Sequence, residues 1–202
     1  IKSTNDTDTD KGNIVIDNAT FTITSGNDAI QAERNLIINN GTFSVTSGSA
    51  TKTSSDNESH KGLKAGVNVA INNGTFTISS QDDGIHSNGN MVIKNGTITI
   101  TSKDDAIHAD GLIEIDGGVF NITAAEGIEA TYVKINDGEI NISASDDGIN
   151  AGRKSTDYDV TIEINGGTIT IKMGAGDTDG IDSNGNLYIN GGTIDITANS
   201  PF

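Results

Sequence analysis

The sequence predicts an all-β fold, a parallel β-helix (solenoid) of about eight rungs. Three observations predict it. Asp82-Asp83-Gly84-Ile85-His86 returns as Asp104-Asp105-Ala106-Ile107-His108, 22 residues later. Apolar residues alternate strictly within each repeat, as in Thr97-Ile98-Thr99-Ile100, and a period of two means strand. The strands are short, rich in β-branched residues, and bounded by Asn/Gly and Asp/Gly corners. A leucine-rich repeat has a similar length, but its leucine pattern and helical half are absent.

Two landmarks set the register. One is a corner glycine before a strand, at Gly41, Gly74, Gly96, Gly118, Gly138, Gly167 and Gly192, with Ala19 in the first copy. The other is an acidic residue followed by Gly or Ala and then Ile, at Ile30, Ile85, Ile107, Ile128, Ile149 and Ile181; Leu63 takes that place where Lys61 replaces the acid. Successive corner glycines are 33, 22, 22, 20, 29 and 25 residues apart, so the short spacings are the basic rung and the long ones carry insertions.

In chain order, residues 1–12 read as an acidic lead-in or cap, and 13–202 as a single domain with insertions near 49–60, 153–159 and 174–179. Asp6-x-Asp8-x-Asp10 faintly resembles a calcium loop, but its glycine falls one place late, which favours a solvated cap. Three inward ladders are expected. One runs from Ile16 through Ile38 and Ile71 to Ile189, one from Phe21 through Phe43 and Phe76 to Ile194, and one from Ile23 through Val45 and Ile78 to Ile196. An asparagine ladder is expected at one corner, Asn39, Asn72, Asn136, Asn165 and Asn190, interrupted by Lys94 and Asp116, which are placed to form a cross-rung ion pair. One outward row starts apolar, with Val15, Ile37, Ala70 and Val92, and the 49–60 insertion is its candidate cover. The recurrent N-x-[S/T] triplets fall at strand starts and need no reading beyond turn chemistry.

The formal net charge is −16, with Lys+Arg 12 against Asp+Glu 28. Nucleic acid and anionic membranes are poor direct partners for such a chain. Cysteine is absent, which excludes disulfides and thiol chemistry. No apolar run is long enough to span a bilayer. Ile1 in place of an initiator Met is expected of a chain whose leader has been removed or that is one piece of a longer one. The Thr/Asn/Asp/Gly richness suits a secreted or surface protein.

Stacking equivalent positions puts Asp82 over Asp104, and Asp83 over Asp105, Glu126 and Asp147; Asp146 continues the outer row, and Glu129 joins His86, His108 and Asn150. Carboxylates about 5 Å apart repel by roughly 0.8 kcal/mol in water and about 3 kcal/mol at an effective dielectric of 20. Splaying into water, sharing a proton or binding a cation would relieve this, and hard carboxylate oxygens suit Ca²⁺. The other reading is that these aspartates are corner formers bonded to their own turns. For His86 and His108, hydrogen bonding to sugar or a purely structural place accounts for a stacked pair beside Asp better than zinc does. The candidate sugar-binding residues are His86, His108, Lys103 and Asn150.

The N-G-G-T-[I/F]-x-I unit paired with D-D-G-I-[H/N]-[A/S]-x-G resembles the carbohydrate-binding parallel β-helix domains of clostridial cell-surface proteins, from about Gly12 to Thr197. That resemblance implies a right-handed, pectate-lyase-like coil, bound calcium, binding of cellulose and acidic pectin (polygalacturonate), and an extracellular setting on the bacterial cell surface. It also implies calcium ligation by Asp82, Asp83, Asp104, Asp105, Glu126, Glu129, Asp146 and Asp147. Lys61-Gly62-Leu63 departs from the pattern and is expected to end any metal row.

The expected function is therefore non-catalytic binding of plant cell-wall polysaccharide. The alternative is a calcium-dependent polysaccharide lyase, which needs a base for the C5 proton beside the cation; Lys103 and Arg153 are the candidates. A hydrolase would pair aspartates as acid and base, but the Asp-Asp pair recurs as scaffolding does. An ice-binding face is broken by Val119, Glu139, Asn121 and Asn141, and a plain spacer rod would show no sugar affinity. With no Trp and three Tyr, aromatic platforms for neutral glucan are scarce.

Overall fold

The computed structural model describes residues 1–48, 58–175 and 178–199. These form strands and turns only, with no helix among the described residues, and all the strand pairs are parallel. The strands make a 14-stranded and an 8-stranded sheet. In the 8-stranded sheet, strands Ala19–Ser25, Gly41–Ser47, Thr75–Ser79, Thr97–Thr101, Val119–Ala124, Glu139–Ala144, Thr168–Met173 and Thr193–Thr197 follow one another in sequence order. Each pairs with the strand one repeat away, so Thr97 faces Thr75 on one side and Val119 on the other. The larger sheet holds two further ladders, joined where Ile107–Ile115 and Ile128–Ile135 run through both.

This register brings like residues together, and the core is built from that. Ile38, Ile71, Ile93, Ile115, Ile135 and Ile164 pair in succession and are fully buried. Phe21, Phe43 and Phe76 stack with ring centroids 5.4 and 4.7 Å apart. Short alternating strands thus bury every second side chain through most repeats although the hydrophobic fraction is only 33%. All four residues of Asn186–Ile189 are exposed, so the ladder expected to reach Ile189, 48% exposed, is buried only as far as Ile164.

At the corner before the 8-stranded sheet the backbone takes positive φ, 108° at Gly118 for example. A Cβ there would lie 2.8 Å from the Gly96 carbonyl oxygen of the preceding repeat, so glycine is required for both conformation and approach. Beside it the asparagine ladder forms as expected. Asn72 donates to Asn39 at 2.7 Å, Asn165 to Asn136 at 3.0 Å and Asn190 to Asn165 at 2.8 Å. Lys94 and Asp116 do not pair with each other among the described residues. Asp116 instead accepts from Asn136 at 2.8 Å, which extends the upper part of the amide ladder by one repeat, while Lys94 leaves a break between Asn72 and Asp116.

Within 1–12, strand Lys2–Ser3 pairs with Ile30–Ala32. Asp8 accepts from the Asp10 amide and pairs with Lys11 at 2.9 Å, so the Asp6–Asp10 stretch closes on itself as a turn. The outward row runs as expected from Val15, 58% exposed, through Ile37, Ala70 and Val92. Its candidate cover lies almost wholly outside the described residues, as does part of the 174–179 insertion.

Candidate functional site, a charged groove along the repeats

The acidic corners meet in one groove. At each corner the chain turns through a small residue. A Cβ on Gly84 would lie 2.5 Å from Ile100 and 2.6 Å from the Ala106 carbonyl oxygen, so the corner packs tightly against the next repeat. Ile85 then enters the core while His86 faces outward. Strand pairing places His86 on Lys64 and His108, His108 on Glu129, Glu129 on Asn150, and Asn150 on Asp182. Three residues earlier the same register aligns Lys61, Asp83, Asp105, Glu126 and Asp147.

Lysines and histidines already sit among the carboxylates. Lys61 Nζ lies 2.6 Å from Asp83 and 3.0 Å from Asp82. His86 Nδ1 is 2.7 Å from Asp83 and His108 Nδ1 2.7 Å from Asp105; His108 Nδ1 is also 3.0 Å from Glu129, whose second oxygen pairs with Lys154 at 2.7 Å. The two imidazoles stack with centroids 4.9 Å apart. Asn150 donates to Glu126 at 3.0 Å and to Glu129 at 3.3 Å. All of these groups except Asp82 and Asn150 line a cavity of about 330 Å³, together with Asp104.

The electrostatics follow. Burial disfavours the His108 cation, but hydrogen bonds to Asp105 and Glu129, with the Asp83 charge, outweigh it and raise its pKa to about 10. Burial also opposes ionisation of Glu129, yet His108 and Lys154 bring it down to about 2. Asp83 is burdened by burial too, and His86 and Lys61 hold it well below the usual carboxylate range. Glu126 goes the other way: burial, then Glu129, Asp105 and Asp147, push it up to about 7 against the Asn150 hydrogen bond. Burial likewise lifts Asp105 to about 6. Lys61 and Lys154 lose by burial but are raised by their acidic partners, so both remain ammonium groups at neutral pH.

Of the twelve residues singled out from sequence, Asp82, Asp83, Asp104, Asp105, Glu126, Glu129, His86 and His108 come together here. Asn150 bonds to the groove's two glutamates. Asp147 continues the row beyond Glu126, half-buried, and accepts from the Asp179 amide at 3.2 Å. Asp146 and Lys103 are exposed and do not line the cavity. Arg153 lines a different cavity. Lys154, which no periodic signal marks, is an additional groove residue from the 153–159 excursion. Lys61 was legible only as the end of the acidic row, whereas its side chain neutralises the next repeat.

The oxygens of Asp82, Asp83 and Asp104 lie within 4.8 Å of one another, an all-oxygen set suited to a hard dication. Asp83–His86–His108 and Asp105–His108–Glu129 form two mixed nitrogen and oxygen groupings of the same size. On the outer face of the 8-stranded sheet a second, shallow cleft of about 300 Å³ runs past Thr99, Asn121, Asn141 and Thr170.

No curated protein matches the sequence, and no solved structure does. The family described as "carbohydrate-binding domain-containing protein" matches residues 1–106, 89–130 and 103–201, which together span nearly the whole chain. The chain belongs to that carbohydrate-binding domain family.

Proposed function

We propose that this protein is a right-handed parallel β-helix of about eight rungs that binds plant cell-wall polysaccharide along its charged groove without cleaving it. The reading extends to acidic pectin and cellulose as ligands, and to an extracellular place on the bacterial cell surface. The observation that carries it is the paired row of carboxylates and stacked imidazoles, repeated at strand spacing and opening on one cavity.

A row of this kind meets a polymer with a carboxyl group at four successive repeats, Asp83, Asp105, Glu126 and Asp147. Carboxylates accept hydrogen bonds from sugar hydroxyls, and the buried ones are held in place by Lys61, His108 and Lys154. Those cations in turn offer donors to a uronate carboxylate. Neither candidate base lines the groove, since Lys103 is exposed outside it and Arg153 opens on a different cavity; this favours binding over elimination at the acidic row.

Calcium fits the reading at Asp82, Asp83 and Asp104, whose donors are all oxygen, although Lys61 now neutralises two of them. When bound, calcium supplies positive charge that bridges protein and uronate carboxylates.

Co-sedimentation with insoluble pectate and with cellulose, in calcium and after chelator, tests the proposal when the supernatant is assayed for unsaturated oligosaccharide. Pelleting with a clean supernatant is expected. Released unsaturated sugar would replace the binding module by a lyase, and the absence of pelleting in all conditions would leave a spacer rod.

A further inference from the structure

The 153–159 excursion builds a second cavity beside the groove, of about 440 Å³, lined by Arg153, Asp159, Val160, Asn184, Gly185 and Asn186. We infer that this cavity is a subsite for a carboxylate-bearing sugar unit, with Arg153 receiving the uronate carboxylate. The inference deepens the polysaccharide-binding reading and rests on it.

Arg153 is one of only two arginines in a chain of net charge −16. In so acidic a protein a guanidinium is expected to be taken up by a neighbouring carboxylate. Here Lys61 pairs with Asp82 and Asp83, Lys64 with Asp28, and Lys154 with Glu129, while Lys103 and Arg34 make no ion pair among the described residues but line neither cavity. Arg153 is exposed and makes no ion pair among the described residues, and Asp159 stands in the same cavity without pairing to it. A planar fork of donors left open in a concave site matches a carboxylate in two-point contact. Asn186, whose side chain also makes no hydrogen bond among the described residues, and Asp159 provide amide and carboxylate groups for ring hydroxyls. The wall at Gly185 is close: a Cβ there would lie 2.1 Å from the Val160 carbonyl oxygen.

The excursion is anchored. The amides of Lys154 and Ser155 both donate to Thr131 Oγ1, at 2.9 and 2.8 Å, and Thr131, fully buried, donates to the Asp110 carbonyl at 2.7 Å. Tyr158 packs edge-on to Tyr132, with centroids 6.1 Å apart. Arg153 is therefore presented from a fixed loop.

The neighbouring residue identifies the ligand as a polymer. Lys154 points into the charged groove while Arg153 opens on the second cavity, and adjacent Cα atoms are only about 3.8 Å apart. One chain of uronates can thus place one carboxylate near Lys154 and another at Arg153. A neutral glucan gains nothing from the guanidinium.

The test is calorimetric titration of the protein, and of Arg153→Gln and Arg153→Lys, with a defined oligogalacturonate, its methyl ester and a cello-oligosaccharide, all in chelator. Arg153→Gln is expected to weaken the oligogalacturonate by about 10- to 100-fold, the loss of a charge-assisted pair. Arg153→Lys should recover part of that, with the two neutral ligands unchanged. Unaltered oligogalacturonate affinity in Arg153→Gln overturns the subsite while the polysaccharide-binding reading stands. A loss that is equal for charged and neutral ligands overturns the carboxylate assignment. If the unaltered protein binds none of the three in solution and pellets with neither polysaccharide, both fall.

Discussion

Lys61→Met removes the cation from between Asp82 and Asp83 while keeping the length of the side chain. The lysine and both aspartates are mostly buried, with side-chain exposures of 13%, 12% and 4%. At separations of 2.6 and 3.0 Å, the gross attraction at an effective dielectric of 20 is about 6 kcal/mol for each contact. Much of this offsets the desolvation of three charged groups, so the pair itself stabilises little. Removing one side is different, because two carboxylates then remain buried without compensation, which costs about 3–5 kcal/mol. The lower end applies, about 3 kcal/mol, because His86 still holds Asp83 at 2.7 Å. Urea unfolding in chelator reads this as a lower midpoint with an unchanged slope, provided that the repeat array unfolds cooperatively. Calcium should return part of the loss, since oxygens of Asp82 and Asp83, which lose Lys61, and of Asp104 lie within 4.8 Å of one another. A midpoint shift worth less than about 0.5 kcal/mol would refute the claim that Lys61 is what makes this corner tolerable.

Three further outcomes follow from the same geometry. Phe43→Ala, at the centre of the phenylalanine stack and 1% exposed, should cost about 3–5 kcal/mol in urea unfolding. Gly118→Ala should cost roughly 1–3 kcal/mol, because φ is 108° and the new methyl meets a carbonyl at 2.8 Å; an unchanged midpoint would contradict the corner argument. The melting temperature measured in chelator should fall as pH rises from about 4.5 to about 10; below that window the lowered Glu129 and Asp83 act with the opposite sign. Glu126, raised from 4.5 to about 7, contributes stability that is full below pH 4.5 and lost through about 7, and His108, raised from 6.5 to about 10, contributes stability that is full below 6.5 and lost through about 10. Asp105, raised from 3.8 to about 6, adds to the first decline, so Glu126→Gln should shrink that decline without abolishing it.

Most of the fold was legible because parallel stacking brings equivalent positions into contact. Once Gly96 and Gly118 fixed the register, the neighbours of Ile98, Thr99 and Ile100 followed by counting, and so did the meeting of His86, His108 and Glu129. What counting cannot give is the reach of long side chains. Lys61 occupies an acidic place in the repeat and reads as an interruption, yet its four-carbon stem carries the charge to the next repeat's aspartates. Lys154 and Arg153 lie in a non-repeating excursion, where no register applies, and adjacent residues there serve two different cavities. The expected Lys94–Asp116 pair does not form; Asp116 accepts from Asn136 of the following repeat instead.

The most direct test of the account is to compare the protein with the doubly altered Asp105→Asn, His108→Gln form for binding to pectate and cellulose, after circular dichroism shows the strands intact. The account predicts at least a 10-fold loss of affinity in the altered form, from the charge-assisted contacts removed, and no unsaturated sugar from either. Unchanged binding by a folded double variant would contradict the assignment of the groove as the carbohydrate site.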